Sequence, residues 1–456
     1  MTTIISVLFM IYAALIYLNQ GLLSRTGIVT ACMSMHTQYV RIKKEHNMTT
    51  FNDWLNINDQ TLIMQTIMLM LLMSLFMYLT VNKRHFNHSK WMINMMFFNA
   101  IGLLLLPAVN DLFMFYIIIE LQSYSLYILT STDNTSYNAT RSGMLYFLTG
   151  GLASVLIIFG SGYVYYKLGT TNIYDMTDMP ASMRGNEVMF GMYTFIAALV
   201  FKMGLAPLHS WSMSVYNYAP TFVTAYMSIV AKLSITGWLF CHNSIVSPTL
   251  ATMVFFMSMV TAAVVPLHNT NTKVMLAYSG MLNFSYLLLP MMTRDVSYYI
   301  YLMQYSMTHL MMFLCLLASN SYMAKPHTDW SPIVMVKELK VPNKMLSFCL
   351  MLCLFSLIGM PPLPGFYGKY TVMTHLTDKN YYLPVMFMIM LSVTATYYYA
   401  FIIKMLISEL WNRSSEFKPM GSKALGVLIG LLMLLFMTFY LYQDYILEGL
   451  GYTCMQ

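Results

Sequence analysis

Apolar runs long enough to cross a membrane alternate with short polar segments along almost the whole chain. A helical run of about 20 apolar residues covers a hydrocarbon core about 30 Å thick. The pattern gives about fourteen such runs, at 2–19, 24–42, 62–82, 91–109, 111–131, 143–168, 188–206, 220–243, 248–267, 273–292, 298–320, 343–376, 381–408 and 424–445. The longest polar connections, 44–60 and 323–343, are too short to bury a core of their own. The pattern therefore predicts an all-α polytopic membrane protein with no soluble domain.

Two of the predicted helices are interrupted by glycine and proline. The seventh run ends in FKMGLAPLHSW and the twelfth contains GMPPLPGFYGKY, so we expect broken helices near 202–211 and 359–370. Backbone opened at membrane depth must be satisfied by protein or water, and paired breaks of this kind are typical of transport sites. Because the breaks lie five runs apart, we expect two inverted five-helix repeats, each containing a broken helix.

The expected repeats divide the chain into four parts. Helices 1–3 occupy 1–90, and the first repeat, helices 4–8, occupies 91–246. The second repeat, helices 9–13, occupies 247–408, and a C-terminal loop with helix 14 occupies 409–456. Lys and Arg are more frequent in the loops after odd-numbered helices, so those loops are expected to face the cytoplasm or the mitochondrial matrix.

Composition supports a membrane protein and excludes several other classes. The chain is 58% hydrophobic and 9% charged, whereas a soluble domain is about 25% charged. The net charge of +7 is spread over the loops without a basic stripe, so no nucleic-acid partner is expected. The six cysteines are scattered and form no C-x-x-C pair, so no zinc or iron–sulfur site is expected. The N-terminus lacks the features of a secretory or transit segment, and its first apolar run is expected to be a retained helix.

Four lysines lie inside the predicted helices: Lys202, Lys232, Lys369 and Lys404. A charge at the bilayer centre costs at least about 2.5 to 3.5 kcal/mol, so such residues are candidates for function. The alternative is a lysine near a helix end whose ammonium reaches the headgroups. This alternative suits Lys404, near the end of its helix, and it does not suit Lys232, which lies near the middle.

An acidic residue, Glu120, lies in the middle of the fifth apolar run, FMFYIIIELQSYSLYIL. At 3.6 residues per turn, the polar residues of this run form one stripe that is expected to face the bundle, namely Tyr116, Glu120, Ser123, Tyr124 and Tyr127. A nearby ammonium would keep the buried carboxylate ionised, and Lys202 is the expected partner. Movement of Glu120 relative to Lys202 would then load or release a proton, with Lys232 as acceptor and Lys369 as exit group.

Two histidines are secondary candidates. His309, in the eleventh run, is either a relay between Lys232 and Lys369 or a hydrogen-bonded buried histidine. His209, just beyond the first break, is a candidate for proton transfer or for orienting the broken segment. Ser123, Tyr124 and Lys404 complete the secondary set, and no cofactor-binding or metal-ligating residue is expected.

Five motifs together resemble the antiporter-like membrane subunits of respiratory complex I, the NADH-ubiquinone oxidoreductase: ELQSYSLYIL, FKMGLAPLHSW, VAKLSITG, KVMLAYSGMLNFSY and GMPPLPGFYGKY. The resemblance covers roughly residues 90–410. It implies that Glu120 and Lys202 are the family's paired glutamate and lysine. It also implies that Lys232 is the central lysine and Lys369 the distal lysine of a proton-translocating subunit.

The resemblance is strongest to the subunit 2 branch, because subunit 4 usually has a glutamate in place of Lys369 and subunit 5 has a long C-terminal extension. It implies subunits 4L and 4 as neighbours, with accessory subunits and lipids as further partners. It also implies that this subunit binds no cofactor, while the complex uses NADH, FMN, iron–sulfur clusters and ubiquinone. The 48 methionines fit a mitochondrial gene and hence a multi-pass protein of the mitochondrial inner membrane.

Two alternatives to a complex I subunit stay open from the sequence. A subunit of a related multi-subunit cation/proton antiporter would share the lysines and the broken helices. A structural membrane-arm module with an inert channel would share the fold without moving protons.

Overall fold

The computed structural model describes residues 20–42, 47–81, 91–133, 136–178, 185–320, 343–411, 423–439 and 441–443. The helix predicted at 2–19 lies outside these residues. The described helices are α1 (Gln20–Ile42), α2 (Asp59–Val81), α3 (Met92–Leu105), α4 (Leu112–Thr130), α5 (Tyr137–Leu168), α6 (Ile173–Asp178), α7 (Asn186–Met203), α8 (Ser210–Tyr218), α9 (Thr221–Cys241), α10 (Pro248–Val264), α11 (Thr272–Thr293), α12 (Ser297–Asn320), α13 (Lys344–Ile358), α14 (Pro364–Asp378), α15 (Tyr382–Trp411) and α16 (Lys423–Met437).

The prediction of a mostly helical membrane protein is confirmed. Among the described residues, eight helices are long and apolar enough to cross a membrane: α2, α4, α5, α9, α11, α12, α15 and Pro248–His268, which extends α10 by a 3₁₀ turn. Shorter apolar helices lie at Met92–Ala108, Lys344–Ile358 and Leu425–Met437. Each of these helices coincides with a predicted run, because the apolar period and the flanking polar residues together define a helix.

A small β-hairpin precedes α2, and the all-α prediction did not include it. Strands β1 (Asn47–Thr50) and β2 (Leu55–Asn58) pair antiparallel. The loop between them places Phe51, Asn52 and Asp53 in the left-handed region. Asn and Asp tolerate this conformation better than most residues, so the polar segment can turn within four residues. The hairpin folds back onto the chain through a bridge between Leu55 and Val109.

The described chain forms two compact units. The first consists of Met1–Trp211 and Val230–Leu250, and the second of Ser212–Ile229 and Ala251–Gln456. Helix α9 therefore begins in the second unit and ends in the first. In the second unit, α11 and α12 are buried along nearly their whole apolar length. The buried share of the apolar stretch is 94% in α11 and 89% in α12. These two helices form the centre of that unit, and α14 packs against both.

In the first unit, α5 and α7 cross at two glycines, Gly160 and Gly191. A Cβ atom added to Gly160 would lie 2.8 Å from the Gly191 carbonyl oxygen and 2.8 Å from the Phe195 backbone nitrogen. Small residues let membrane helices approach to backbone contact, which strengthens van der Waals packing where no hydrophobic effect holds the helices together. This crossing fixes α7, which carries Lys202, against α5.

Substitution of Gly160 by alanine should destabilise the first unit. The added methyl group has to push against backbone atoms of α7, and overpacking of this kind costs about 1–3 kcal/mol. Gly162→Ala is the matched control, because a Cβ at this position of α5 meets nothing within 4 Å. The measurement is the thermal midpoint of each variant. Detergent-solubilised membranes are heated, and the fraction of the chain that stays intact is determined at each temperature. Equal thermal midpoints for the two variants would show that the crossing of α5 and α7 does not require glycine at position 160.

Candidate functional site

The first break separates α7 from α8 and leaves Lys202 in the last turn of α7. Helix α7 ends at Gly204, which adopts the left-handed conformation with φ 66°. The indole of Trp211, at the start of α8, donates a hydrogen bond of 2.8 Å to the Phe201 carbonyl oxygen. Because this carbonyl lies in the final turn of α7, it has lost its regular helical partner. The Gly204 N–H donates to this carbonyl at 2.9 Å, and the indole is a second donor that ties Trp211 to the end of α7.

Lys202 forms a buried ion pair with Glu120 of α4. The distance from Lys202 Nζ to Glu120 Oε1 is 3.1 Å, and each side chain is only 9% exposed. The hydroxyl of Ser154, on α5, donates a hydrogen bond to the same carboxylate oxygen. Burial of either charge alone is costly, and pairing with additional hydrogen bonds offsets that cost. Three helices thus meet at one carboxylate, and Ser154 is a member of the site that the sequence analysis missed.

The predicted polar stripe around Glu120 divides between the interior and the lateral surface of the first unit. Ser123 and Tyr127 are buried, Tyr116 is half-buried, and Tyr124 is 53% exposed. The Ser123 hydroxyl donates to the Glu120 backbone carbonyl and not to the carboxylate. Since successive residues rotate by about 100°, positions i+3 and i+4 lie on opposite sides of Glu120.

Glu120 therefore sits at the border of the exposed face of α4. The residues on the Tyr124 side of that border are exposed, namely Phe113, Ile117, Leu121 and Ile128. The buried Tyr127 lies on the other side, and a Cβ added to Gly150 of α5 would lie 2.0 Å from the Tyr127 hydroxyl. Only glycine leaves room for this tyrosine beside α5.

Lys232 lies on α9 immediately after a π-helical turn, Met227–Ala231. Its side chain is only 3% exposed. π turns are rare and are frequent at functional sites, because they displace the regular hydrogen bonds of the helix. Lys232 belongs to the same compact unit as Glu120 and Lys202.

The second break places Lys369 in α14, downstream of the interruption. Helix α13 ends at Gly359 with φ 93°, and α14 begins at Pro364. Lys369 is 9% exposed, and its Nζ donates hydrogen bonds of 2.7 Å to the Leu357 carbonyl and 3.0 Å to the Ile358 carbonyl. Those carbonyls are freed by the end of α13. The break itself therefore supplies the acceptors for the ammonium.

An aromatic ring and a glycine complete the surroundings of Lys369. The ammonium lies 5.7 Å from the centre of the Tyr286 ring, within the range of a cation–π interaction. A Cβ added to Gly365 would lie 1.7 Å from the Ser356 carbonyl oxygen, so α13 and α14 approach closely only because this residue is glycine. The two breaks thus hold their lysines differently, one through a carboxylate and the other through backbone carbonyls.

The remaining candidates occupy three different environments. His309 is fully buried on α12 between the rings of Tyr305 and Phe313, with centroid distances of 5.1 and 4.9 Å. His209 is half-buried in the segment between α7 and α8. Lys404 is exposed on α15. Among the candidate residues, the described contacts join Glu120 to Lys202 by the ion pair and to Ser123 through the Glu120 backbone carbonyl, and the Tyr124 hydroxyl also interacts with the carboxylate.

Lys273 is a buried lysine that is not among the four lysines expected inside the predicted helices. It lies in the first turn of α11, which begins at Thr272, and its Nζ donates a hydrogen bond of 2.7 Å to the Ala219 carbonyl oxygen. As the first residue of the run predicted at 273–292, it lies at the edge of the apolar pattern. The lysine caps the C-terminal end of α8, where a positive charge is favourable.

No group of His, Cys, Asp and Glu with metal-binding geometry occurs in the part of the chain that the structure describes. Five cysteines in this part carry free thiols, among them the buried Cys315 and Cys353. The groups that meet at Glu120 are a carboxylate, an ammonium and a hydroxyl, and each of them can exchange a proton.

Comparison with known proteins identifies relatives of this arrangement. Residues 109–395 match the family described as NADH:quinone oxidoreductase/Mrp antiporter, TM. The chain is 44% identical to NADH-ubiquinone oxidoreductase chain 2 of Candida albicans, over 89% of this chain and 85% of that protein. It is 40% identical to the protein of the same name from Debaryomyces hansenii, over 94% of this chain and 95% of that one.

The fold is similar to that of a solved membrane complex. A chain in the structure of respiratory complex I from Thermus thermophilus with bound Aureothin aligns with a TM-score of 0.78. The alignment covers 97% of each chain at 19% sequence identity. At this identity the likeness concerns the fold.

Removal of one member of the ion pair should destabilise the first unit more than removal of both. Glu120→Met leaves a buried ammonium without its carboxylate, which costs about 3–5 kcal/mol, whereas Glu120→Met combined with Lys202→Met leaves no buried charge. Thermal midpoints in detergent-solubilised membranes measure the difference. The exposed pair Lys167–Glu187 is the control, and its removal should change stability by about 0–1 kcal/mol. A double variant less stable than Glu120→Met would contradict the assignment.

Proposed function

This chain belongs to the family of membrane subunits shared by NADH:quinone oxidoreductases and Mrp antiporters, and we propose that it moves protons as subunit 2 of respiratory complex I. The transfer is coupled to electron transfer from NADH to ubiquinone elsewhere in the complex. The observation that carries this function is the buried Glu120–Lys202 pair beside a broken helix. Apolar residues of similar size usually stabilise a protein interior as well as a buried ion pair does. The presence of such a pair beside a broken membrane helix therefore favours a functional role over a structural one.

The proposed cycle begins at the ion pair of the first unit. While Glu120 lies 3.1 Å from Lys202, the carboxylate stabilises the ammonium form. When α4 carries the carboxylate away, the ammonium is left buried without a counter-charge and releases its proton. Lys232, buried on α9 of the same unit, is the proposed acceptor. Return of Glu120 favours reprotonation of Lys202.

Lys369 is the proposed exit group of the second unit. Its ammonium is held by the Leu357 and Ile358 carbonyls, so a change in the break alters its proton affinity. His309, fully buried on α12 of that unit, is the proposed relay. Ser123, Tyr124, His209 and Lys404 are secondary candidates. For Lys404, the exposed position on α15 supports the alternative in which its ammonium reaches the headgroups.

The proposed architecture has about fourteen transmembrane helices with two inverted five-helix repeats, at 91–246 and 247–408. The support for it is the occurrence of one broken helix in each stretch, α7–α8 and α13–α14. Each break carries a buried lysine close to its glycine and proline residues. Two half-channels built around opened backbone are the expected consequence of this arrangement.

The chemistry of NADH oxidation is assigned to other parts of the complex. We propose that NADH, FMN, iron–sulfur clusters and ubiquinone bind elsewhere and that the residues of this site exchange protons. Membrane-arm subunits 4L and 4 are the proposed neighbours, together with accessory subunits and lipids. Because the relatives from Candida albicans and Debaryomyces hansenii are NADH-ubiquinone oxidoreductase chains, the proposed location is the mitochondrial inner membrane. The proposed gene is mitochondrial.

The family also contains antiporter subunits, so the assignment to complex I has its own test. On a native gel of solubilised membranes, the chain should migrate with NADH dehydrogenase activity. Migration with a smaller complex that lacks this activity would assign it to a cation/proton antiporter instead.

Replacement of Lys202 or Lys369 by methionine should lower NADH-driven proton pumping at least about tenfold, because each variant removes a group that carries a proton. The matched controls are lysines with exposed ion pairs, Lys167→Met in the first unit and Lys379→Met in the second. Vesicles containing the assembled complex allow pumping and NADH oxidation to be measured in parallel. Unchanged pumping in the Lys202 and Lys369 variants would favour the inert structural module.

A further inference from the structure

Gln122 lies on α4 two residues after Glu120 and joins this helix to the backbone beside Lys232. Its side chain is buried, with 3% exposure. The amide Nε2 donates a hydrogen bond of 3.2 Å to the Ala231 carbonyl oxygen. Its Oε1 accepts a hydrogen bond of 3.2 Å from the Ser234 hydroxyl. Both partners lie on α9, on either side of Lys232.

Ala231 is the last residue of the π turn, and its carbonyl oxygen accepts two side-chain donors. The second donor is the Ser234 hydroxyl, at 2.9 Å. The π turn ends at Ala231, and regular α-helix resumes at Lys232. The Gln122 amide of α4 therefore contacts the backbone immediately before Lys232, at the point where the helix changes its hydrogen-bonding pattern.

Gln122 is itself held firmly on α4. Its backbone carbonyl accepts a hydrogen bond of 2.7 Å from Asn99 of α3, whose amide also donates to the Ser125 hydroxyl at 3.1 Å. A Cβ added to Gly102 would lie 3.1 Å from Gln122 Cβ, so α3 and α4 are in close contact at this level. The Gln122 amide is thus expected to move together with α4 and not with α9.

Glu120 and Gln122 face different helices, because two residues along an α-helix differ by about 200°. The carboxylate meets Lys202 on α7, and the amide meets Ala231 and Ser234 on α9. Helices α4 and α9 also meet through the rings of Phe115 and Trp238, whose centroids lie 4.4 Å apart. This contact lies at least one helical turn away from the hydrogen bonds of Gln122. A rotation or shift of α4 that alters the ion pair must also alter the hydrogen bonds beside Lys232.

We propose that Gln122 is a positioning residue that couples the state of the Glu120–Lys202 pair to the position of Lys232. This inference rests on the proposed function and adds to it the connection between the two lysines. Movement of α4 then changes the donor and the acceptor of the same proton in one step. The connection consists of neutral hydrogen bonds and needs no further titrating group.

The test replaces Gln122 by methionine, which has a similar shape and no amide. In vesicles with the assembled complex, Gln122→Met should lower the rate of NADH-driven proton pumping about threefold. It should also shift the pH at which pumping is half-maximal by about half a unit. Gln65→Met is the matched control, because Gln65 is a buried glutamine of the same unit whose amide donates to the Leu104 carbonyl at 2.8 Å. This control should leave the pH profile in place.

Ser234→Ala provides a second, milder variant on the α9 side. It removes the partner of Gln122 Oε1 and should shift the pH profile in the same direction. The double variant Gln122→Met with Ser234→Ala should shift it no further than Gln122→Met alone, because both changes break one connection. Independent, additive shifts would overturn the proposal. If Gln122→Met fails to assemble, an unchanged profile for Ser234→Ala overturns it as well.

Failure of this inference is distinguishable from failure of the proposed function. If Lys202→Met abolishes pumping while Gln122→Met and Ser234→Ala behave like Gln65→Met, protons move through the lysines without this connection. If Lys202→Met and Lys232→Met both leave pumping intact, the proposed function itself is wrong.

Discussion

A buried charge needs a partner, and the first unit meets this constraint with the Glu120–Lys202 pair. The pair forms only where three helices, α4, α5 and α7, come within side-chain reach of one another. The Gly160–Gly191 crossing brings α5 and α7 together, and Ser154 then reaches the carboxylate from α5. The close helix packing of the first unit is therefore a condition for the electrostatics of the site.

In the second unit, Lys369 satisfies the same constraint through backbone carbonyls, and no carboxylate among the described residues forms an ion pair with it. Lys369 donates to the Leu357 and Ile358 carbonyls, which are available because α13 ends there. The partner of Lys202 is lost when one side chain moves, whereas the partners of Lys369 are lost only when the backbone of the break moves. This contrast supports the proposal that Glu120, and not the second break, is the switching element, since a helix or side chain is displaced more easily than a glycine-bounded break is reshaped.

The sequence predicted most of the described helices and three buried lysines, Lys202, Lys232 and Lys369, because long apolar runs form membrane helices and a charge inside such a run needs a protein partner. Lys202 and Lys369 follow from the breaks that accompany them. The contact with Ser154 could not be predicted, because a serine in an apolar helix can face either the protein interior or the lipid. Only the packing of α4 against α5 determines which of the two it faces. The exposure of Tyr124 depends on where the polar stripe of α4 passes from the protein interior to the surface. The helical period places residues on one face but does not specify where that face becomes exposed. Lys273 was not among the candidates because it is the first residue of its apolar run, where a lysine normally lies at the membrane edge.

The energies involved show why an ion pair at this position is suited to gating. Loss of one partner of a buried pair costs about 3–5 kcal/mol, so the closed state outweighs the open state by about 10² to 10⁴. Movement of one charge against 100 mV requires about 2.3 kcal/mol, which is of the same order. In the proposed cycle the pair therefore stays closed unless another interaction of Glu120 offsets this cost. Glu120 borders the exposed face of α4, so the ion pair lies at the edge of the unit and not at its centre.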